Sequence, residues 1–158
     1  MADKQQLTRD YIMTYISDFY KDVNGIRPRG YNFNAFTDAE LIEFWNDLEE
    51  QLEQNNIEEE IAAKESIVAM ELSIKQLINN GAATEATALR WLLTGYCPEY
   101  KEENQYITGY EIDGFLYNHG LSPYNDYGKG LKEKLLAIAQ QLYKQHHEKN
   151  QQEQTISV

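Results

Sequence analysis

Residues 37–60 read TDAELIEFWNDLEEQLEQNNIEEE, and the pattern in this stretch decides the fold. Thr37 and Glu40 have the spacing of a capping box, in which the threonine hydroxyl accepts from the Glu40 amide and the Glu40 carboxylate reaches back. Leu41, Phe44, Trp45, Leu48 and Leu52 follow at intervals of three and four, which is an apolar stripe of helical period. Between Asp38 and Glu60 stand ten acids and no lysine or arginine. Asn55-Asn56 predicts a bend, after which Ile57 to Asn79 reads as helix again. An unbroken helix from 38 to 80 would span roughly 65 Å at 1.5 Å per residue, against a radius of gyration near ~15 Å for one domain of this size. An exposed arm or a coiled coil is the alternative.

Working outward, residues 5–22 read as a helix, with Leu7, Tyr11, Tyr15 and Phe19 every four residues and Ile12 and Ile16 beside them. Gly25 and Pro28 end it. Gly81 closes the helix that begins at Ile57. Thr84 to Thr94 forms a short helix carrying Leu89, Trp91, Leu92 and Leu93, stopped by Gly95 and Pro98. Thr108 and Glu111 make a second capping box, which opens a helix with Ile112, Phe115 and Leu116 that ends at Gly120. Leu121 to Gly130, with Pro123, Asn125-Asp126 and two glycines, reads as loop. Leu131, Leu135, Ile138, Ala139 and Leu142 mark a last amphipathic helix. The expectation is a mostly α fold: a compact helical domain of five to six helices over 1–145. A loop-rich region at 96–128 leaves room for a short β-hairpin between Tyr96 and Ile107. The polar, Gln-rich residues 146–158 are expected to fray.

The chain has 158 residues, 42% of them hydrophobic, enough for an unaided core. Of its formal charge of −12, −10 lies in the 38–60 block, and the sixteen acids outside it nearly balance the 14 basic residues. Such a chain is repelled by nucleic-acid backbones and by anionic membranes, so the expected partner is the basic surface of a protein or nucleoprotein complex. A single cysteine, Cys97, cannot form an intramolecular disulfide. The first ten residues carry charge and no apolar run reaches about 18 residues, so a cytoplasmic location is expected.

At 100° per residue, Glu43, Asp47 and Glu50 lie opposite the Leu41-to-Leu52 stripe. With Glu40, Glu53, Glu58 and Glu59 they form the candidate partner-binding face. Ten charges over about 23 helical residues average one per ~3.5 Å of rise, half the ~1.7 Å density of duplex DNA. A solvated face that aids solubility is the simpler reading. Against it, Glu43 and Asp47 repel at i,i+4 with no lysine to compensate.

A second candidate is the loop Asp22-Val23-Asn24-Gly25-Ile26-Arg27-Pro28-Arg29-Gly30. Arg27 and Arg29 could grip a partner carboxylate or a phosphate, or could pair with the chain's own Asp22 or acidic helix. A third is the series Tyr96, Tyr100, Tyr106, Tyr110, Tyr117, Tyr124 and Tyr127, of which Tyr106, Tyr110, Tyr124 and Tyr127 are candidate partner contacts. The competing reading is that these rings pin a region poor in aliphatic residues to the core.

The D-x-x-G-x-R-P-R segment from Asp22 to Arg29, placed after an aromatic N-terminal helix, resembles small acidic bacteriophage early proteins. The resemblance covers about 20 of the 158 residues and brings no catalytic residues with it. It implies a phage or mobile-element origin and an inhibitor of host defence of the anti-CRISPR or anti-restriction kind.

Catalytic signals are weak. His119 precedes Gly120, where a cation complements a helix C-terminus. His146 and His147 are adjacent and point 100° apart, unsuited to chelation. Cys97 has no neighbouring base. No phosphate-binding loop, nucleophile elbow or zinc-binding helix motif occurs. The expectation is therefore a non-enzymatic inhibitor that needs no metal or cofactor and acts through its acidic face. The alternative is a structural or regulatory adaptor that works by helix-mediated homo- or hetero-oligomerisation, for instance as a homodimer. A nucleotide hydrolase using Arg27 and Arg29 ranks last.

Overall fold

The computed structural model describes residues 7–98 and 106–156, with side chains as far as Glu148. Five α-helices are present and no strand occurs among the described residues, so the fold is mostly α as the periodicity predicts. They are α1 (Arg9–Asn24), α2 (Asp38–Leu77), α3 (Glu85–Tyr96), α4 (Gly109–Asn118) and α5 (Asp126–Ile156). Tyr100 and the middle of the expected 96–107 hairpin lie outside the described residues. The contacts group the chain into two compact units, Met1–Ile61 and Ala62–Val158.

In the first unit, Thr8 caps α1 by accepting from the Tyr11 amide at 3.3 Å. Gly25, at φ 74°, ends the helix in the left-handed region, and its N–H donates to the Lys21 carbonyl at 2.7 Å. Ile12, Ile16 and Val23 of α1 bury against Leu41, Trp45 and Leu48 of α2. Phe44 gathers the rings between the helices, with Tyr31 at 5.3 Å and Phe33 at 5.4 Å, both edge-on. Phe33 itself stands in a 3₁₀ turn, Phe33–Ala35. Arg9 fastens the segment that leads into α2, donating to the carbonyls of Phe36 at 2.8 Å and Asn34 at 3.3 Å and to the Asp38 carboxylate at 2.8 Å.

The bend expected at Asn55-Asn56 does not occur, and α2 continues through both residues. The Asn55 side chain donates to the Val23 carbonyl at 3.0 Å, and Gln51 donates to Asn24 Oδ1 at 3.4 Å. Asparagine weakens a helix when its side chain competes with the local backbone. Here it bonds instead to one of the last carbonyls of α1, which helix geometry leaves without an intrahelical donor. The long helix also contributes to two cores rather than one. Leu41 to Leu48 belong to the core of the first unit, while Met70 and Ile74 belong to that of the second.

In the second unit, Met70 and Ile74 share a core with Leu89 and Leu93 of α3, Ile112, Phe115 and Leu116 of α4, and Leu131, Leu135 and Ile138 of α5. Each side chain fully withdrawn from water contributes roughly 1.5–3 kcal/mol. A π-turn over Ile78–Ala82 ends α2, with Gly81 at φ 109°, at the glycine the sequence marks. Val68 and Leu72 remain more than half exposed. Thr84 caps α3, which passes through Gly95 to Tyr96 rather than stopping there. The Thr108–Glu111 capping box forms in both directions, at 2.6 and 3.3 Å. Lys132 clasps Asp113 at 2.7 and 2.9 Å and ties α5 to α4.

The loop expected over 121–130 is shorter, because α5 begins at Asp126. Asn125 Oδ1 accepts from the Gly128 amide at 2.7 Å, which is an N-cap bond. The glycine that suggests a break is needed for space, since a Cβ there would overlap the Ser122 carbonyl. α5 then continues past His146 to Ile156.

Candidate protein-binding face

The capping box at Thr37 orients the start of α2. Thr37 donates its N–H and hydroxyl to the Glu40 carboxylate at 2.7 and 2.8 Å. These two bonds hold the Glu40 pKa below its ordinary value, the backbone one contributing more. Glu40 is therefore occupied in holding the helix end.

All ten acids between Asp38 and Glu60 are exposed. Asp38 pairs with Arg9 at 2.8 Å. Glu49 accepts from the Trp45 indole at 3.0 Å and Glu58 from Gln54 at 3.0 Å. Glu43, Asp47 and Glu50 make no ion pair or side-chain hydrogen bond among the described residues. The helical repeat places these three within about 60° of arc, opposite buried Leu41, Trp45 and Leu48. The same repeat puts Glu58 and Glu53 on either edge of that face, and it turns Glu59 to the far side of the helix. Of the seven acids expected on one face, three form its centre.

Arg27 does not reach Asp22 or α2. Its guanidinium pairs with Asp18 at 2.7 Å and with the Ser17 hydroxyl at 3.0 Å, both on α1. Arg29 is exposed and has no hydrogen bond or ion pair among the described residues.

The candidate tyrosines belong to the second unit and the acids and arginines to the first. Tyr110 is 87% exposed and Tyr124 is also open, as a contact surface would require. Tyr106 packs edge-on against Tyr143 at 5.4 Å. Tyr127 serves the fold instead, since its hydroxyl donates to Glu71 at 2.8 Å and joins α5 to α2. Burial first, and that bond second, raise its pKa.

His119 caps α4, with Nδ1 2.8 Å from the Phe115 carbonyl; since the carbonyl can only accept, Nδ1 carries the proton. Cys97 is buried. No group of three or more His, Cys, Asp or Glu residues suited to a metal occurs among the described residues. A cleft of about 320 Å³ between α3 and α5 is lined by Leu89, Ala86, Ala137 and Ile138, with Glu85 and Lys134 paired at 2.7 Å beside it. It holds one exposed ion pair rather than converging buried polar groups, so it argues for no small-molecule chemistry. No helix among the described residues is long and apolar enough to cross a membrane.

Two residues of this face are missing from the sequence-based candidates. Ile57 and Ile61 are 45% and 50% exposed, in phase with Glu43 and Glu50. The periodicity could have shown this, but the bend expected at Asn55 broke the phase between the two segments.

Among the described residues these elements define a mostly helical protein in which Glu43, Asp47 and Glu50 of one helix face make no ion pair. The chain matches no protein-family model, no curated protein and no solved structure.

Proposed function

We propose that this chain is a non-enzymatic binding protein whose α2 face engages a basic surface on another protein. Its specific form is an inhibitor that occupies the nucleic-acid channel of a host defence complex. The observation that carries the reading is the line of three carboxylates, Glu43, Asp47 and Glu50, exposed and unpaired among the described residues on the side of α2 away from its own core. Like charges at i,i+4 cost helix stability, and no cation pairs with these three among the described residues. A positively charged partner would remove that cost and would be steered to the face by the field of the whole block. The resemblance of the Asp22–Arg29 segment to phage early proteins supports the narrower form.

The test is affinity capture with the wild-type chain and with the triple variant Glu43→Lys, Asp47→Lys and Glu50→Lys, followed by a nucleic-acid-binding assay on what is captured. The wild type should block nucleic-acid loading by the captured protein, more weakly as salt rises. The variant should associate at least about tenfold more slowly. Equal capture and equal blocking by both proteins would end this reading.

A further inference from the structure

The exposed side of α2 in the first unit changes character partway along. Glu43, Asp47, Glu50, Ile57 and Ile61 fall within about 80° of arc at 100° per residue. The first three are anionic and unpaired among the described residues, and the last two are half-exposed isoleucines. Neither folding term explains those isoleucines. A β-branched side chain is a poorer helix former than the Glu and Gln that fill most other exposed positions of this segment. About half of its burial gain is forgone at 45–50% exposure. The pair stands at i,i+4, which makes one continuous apolar step on the helix surface.

We infer that this is a two-part docking surface for a partner helix that is basic over one segment and apolar over the next. The inference rests on the acidic-face reading above and adds the partner's shape. The centre of the three carboxylates and the centre of the two isoleucines are about twelve residues apart, or ~18 Å along the axis. A helix lying along α2 therefore sets its lysines or arginines and its aliphatic side chains at that same separation. The charged segment steers the encounter, and the isoleucines slow dissociation by burying apolar area.

Charge rules out a second copy of the chain as the occupant. Parallel pairing lays Glu43, Asp47 and Glu50 against themselves. Antiparallel pairing of Ile57 with Ile61 brings Glu58 toward Glu58 and Glu60 toward Glu60 across the two-fold axis, because flanking positions meet their own equivalents there.

The experiment uses the full chain and two labelled synthetic helical peptides, read by fluorescence anisotropy. Both peptides carry a four-lysine face; one adds a Leu pair at i,i+4 centred about twelve residues away, and the other has Gln at those positions. The Leu peptide should bind at least about tenfold tighter than the Gln peptide. Ile57→Gln with Ile61→Gln should erase that ratio and leave the salt dependence of both peptides unchanged. These positions are on the surface, and circular dichroism checks that the fold survives. Equal affinities for the two peptides, or no effect of the double substitution, overturns the inference while leaving the acidic-face reading intact. Unchanged salt sensitivity of both peptides toward the triple Lys variant overturns the acidic-face reading and this inference with it. A wild-type dimer in sedimentation that the double substitution dissolves gives the face to a second copy and overturns the inference alone.

Discussion

The Asn55 side chain donates to the Val23 carbonyl at 3.0 Å, joining the middle of α2 to the last turn of α1. A residue that reads as a helix breaker is thereby a cap for another helix, and its polar group is satisfied in tertiary rather than local fashion.

Asn55→Ala keeps the helix and removes this bond, leaving the half-buried Val23 carbonyl unsatisfied. The expected loss is about 1 kcal/mol for the first unit. It is measured by urea denaturation in a Trp91→Phe background, where Trp45 reports on that unit alone. No shift in the Trp45 midpoint would mean water replaces the bond at no cost.

Acidification should weaken the start of α2. Glu40 has a folded pKa below its unfolded one, so its contribution is present at neutral pH. It fades as pH falls through that lowered folded value. Glu40→Gln removes the ionised carboxylate that both Thr37 bonds favour, so the variant should be less stable at neutral pH and converge on the wild type in acid. Parallel stability curves from about pH 7 to about pH 3 would contradict the assignment.

Alkali should act on the second unit through Tyr127. Its folded pKa lies above the ordinary tyrosine value, so its contribution holds below that ordinary value and is lost as pH rises further toward the folded one. Tyr127→Phe loses the bond to Glu71 but should flatten the alkaline limb of the stability profile, read by thermal melts above about pH 10.

Gly128→Ala should be far more damaging than an ordinary glycine-to-alanine change in a helix, which gains about 1 kcal/mol. The new Cβ would overlap the Ser122 carbonyl, so the start of α5 must move. Gly130 has open space at the same point, and Gly130→Ala should stabilise. Equal effects at the two positions would show that the Ser122 contact yields easily.

The triple variant Glu43→Lys, Asp47→Lys and Glu50→Lys should fold with stability within about 0.5 kcal/mol of the wild type, because the positions are exposed and the new lysines repel one another as the acids did while gaining Glu40 and Glu53 as opposite charges at i,i+3. A cooperative melt at the wild-type temperature would separate any loss of binding from a loss of structure.

Local signals carried much of the architecture. The boxes at Thr37–Glu40 and Thr108–Glu111, the cap-ending Gly25 and the turn at Gly81 are legible because each is settled within a few residues by backbone hydrogen bonding and permitted φ. The anionic centre of α2 was legible for a related reason: a helical repeat and a buried stripe leave Glu43, Asp47 and Glu50 one direction in which to point.

Three matters were decided only by tertiary structure. Asn55 continues α2 because Val23, thirty-two residues away, supplies its acceptor. Position 128 of α5 must be glycine because Ser122 leaves no room for a side chain. Arg27 is drawn to Asp18 and Ser17 because the turn at Gly25 folds it back onto α1. In each case the deciding partner is distant in sequence or is reached through a turn, so no local propensity encodes it. Local periodicity and backbone hydrogen bonding dictate the helices, their caps and where charge falls; long-range contacts dictate how far those helices run, and so bring Ile57 and Ile61 into line with the acids.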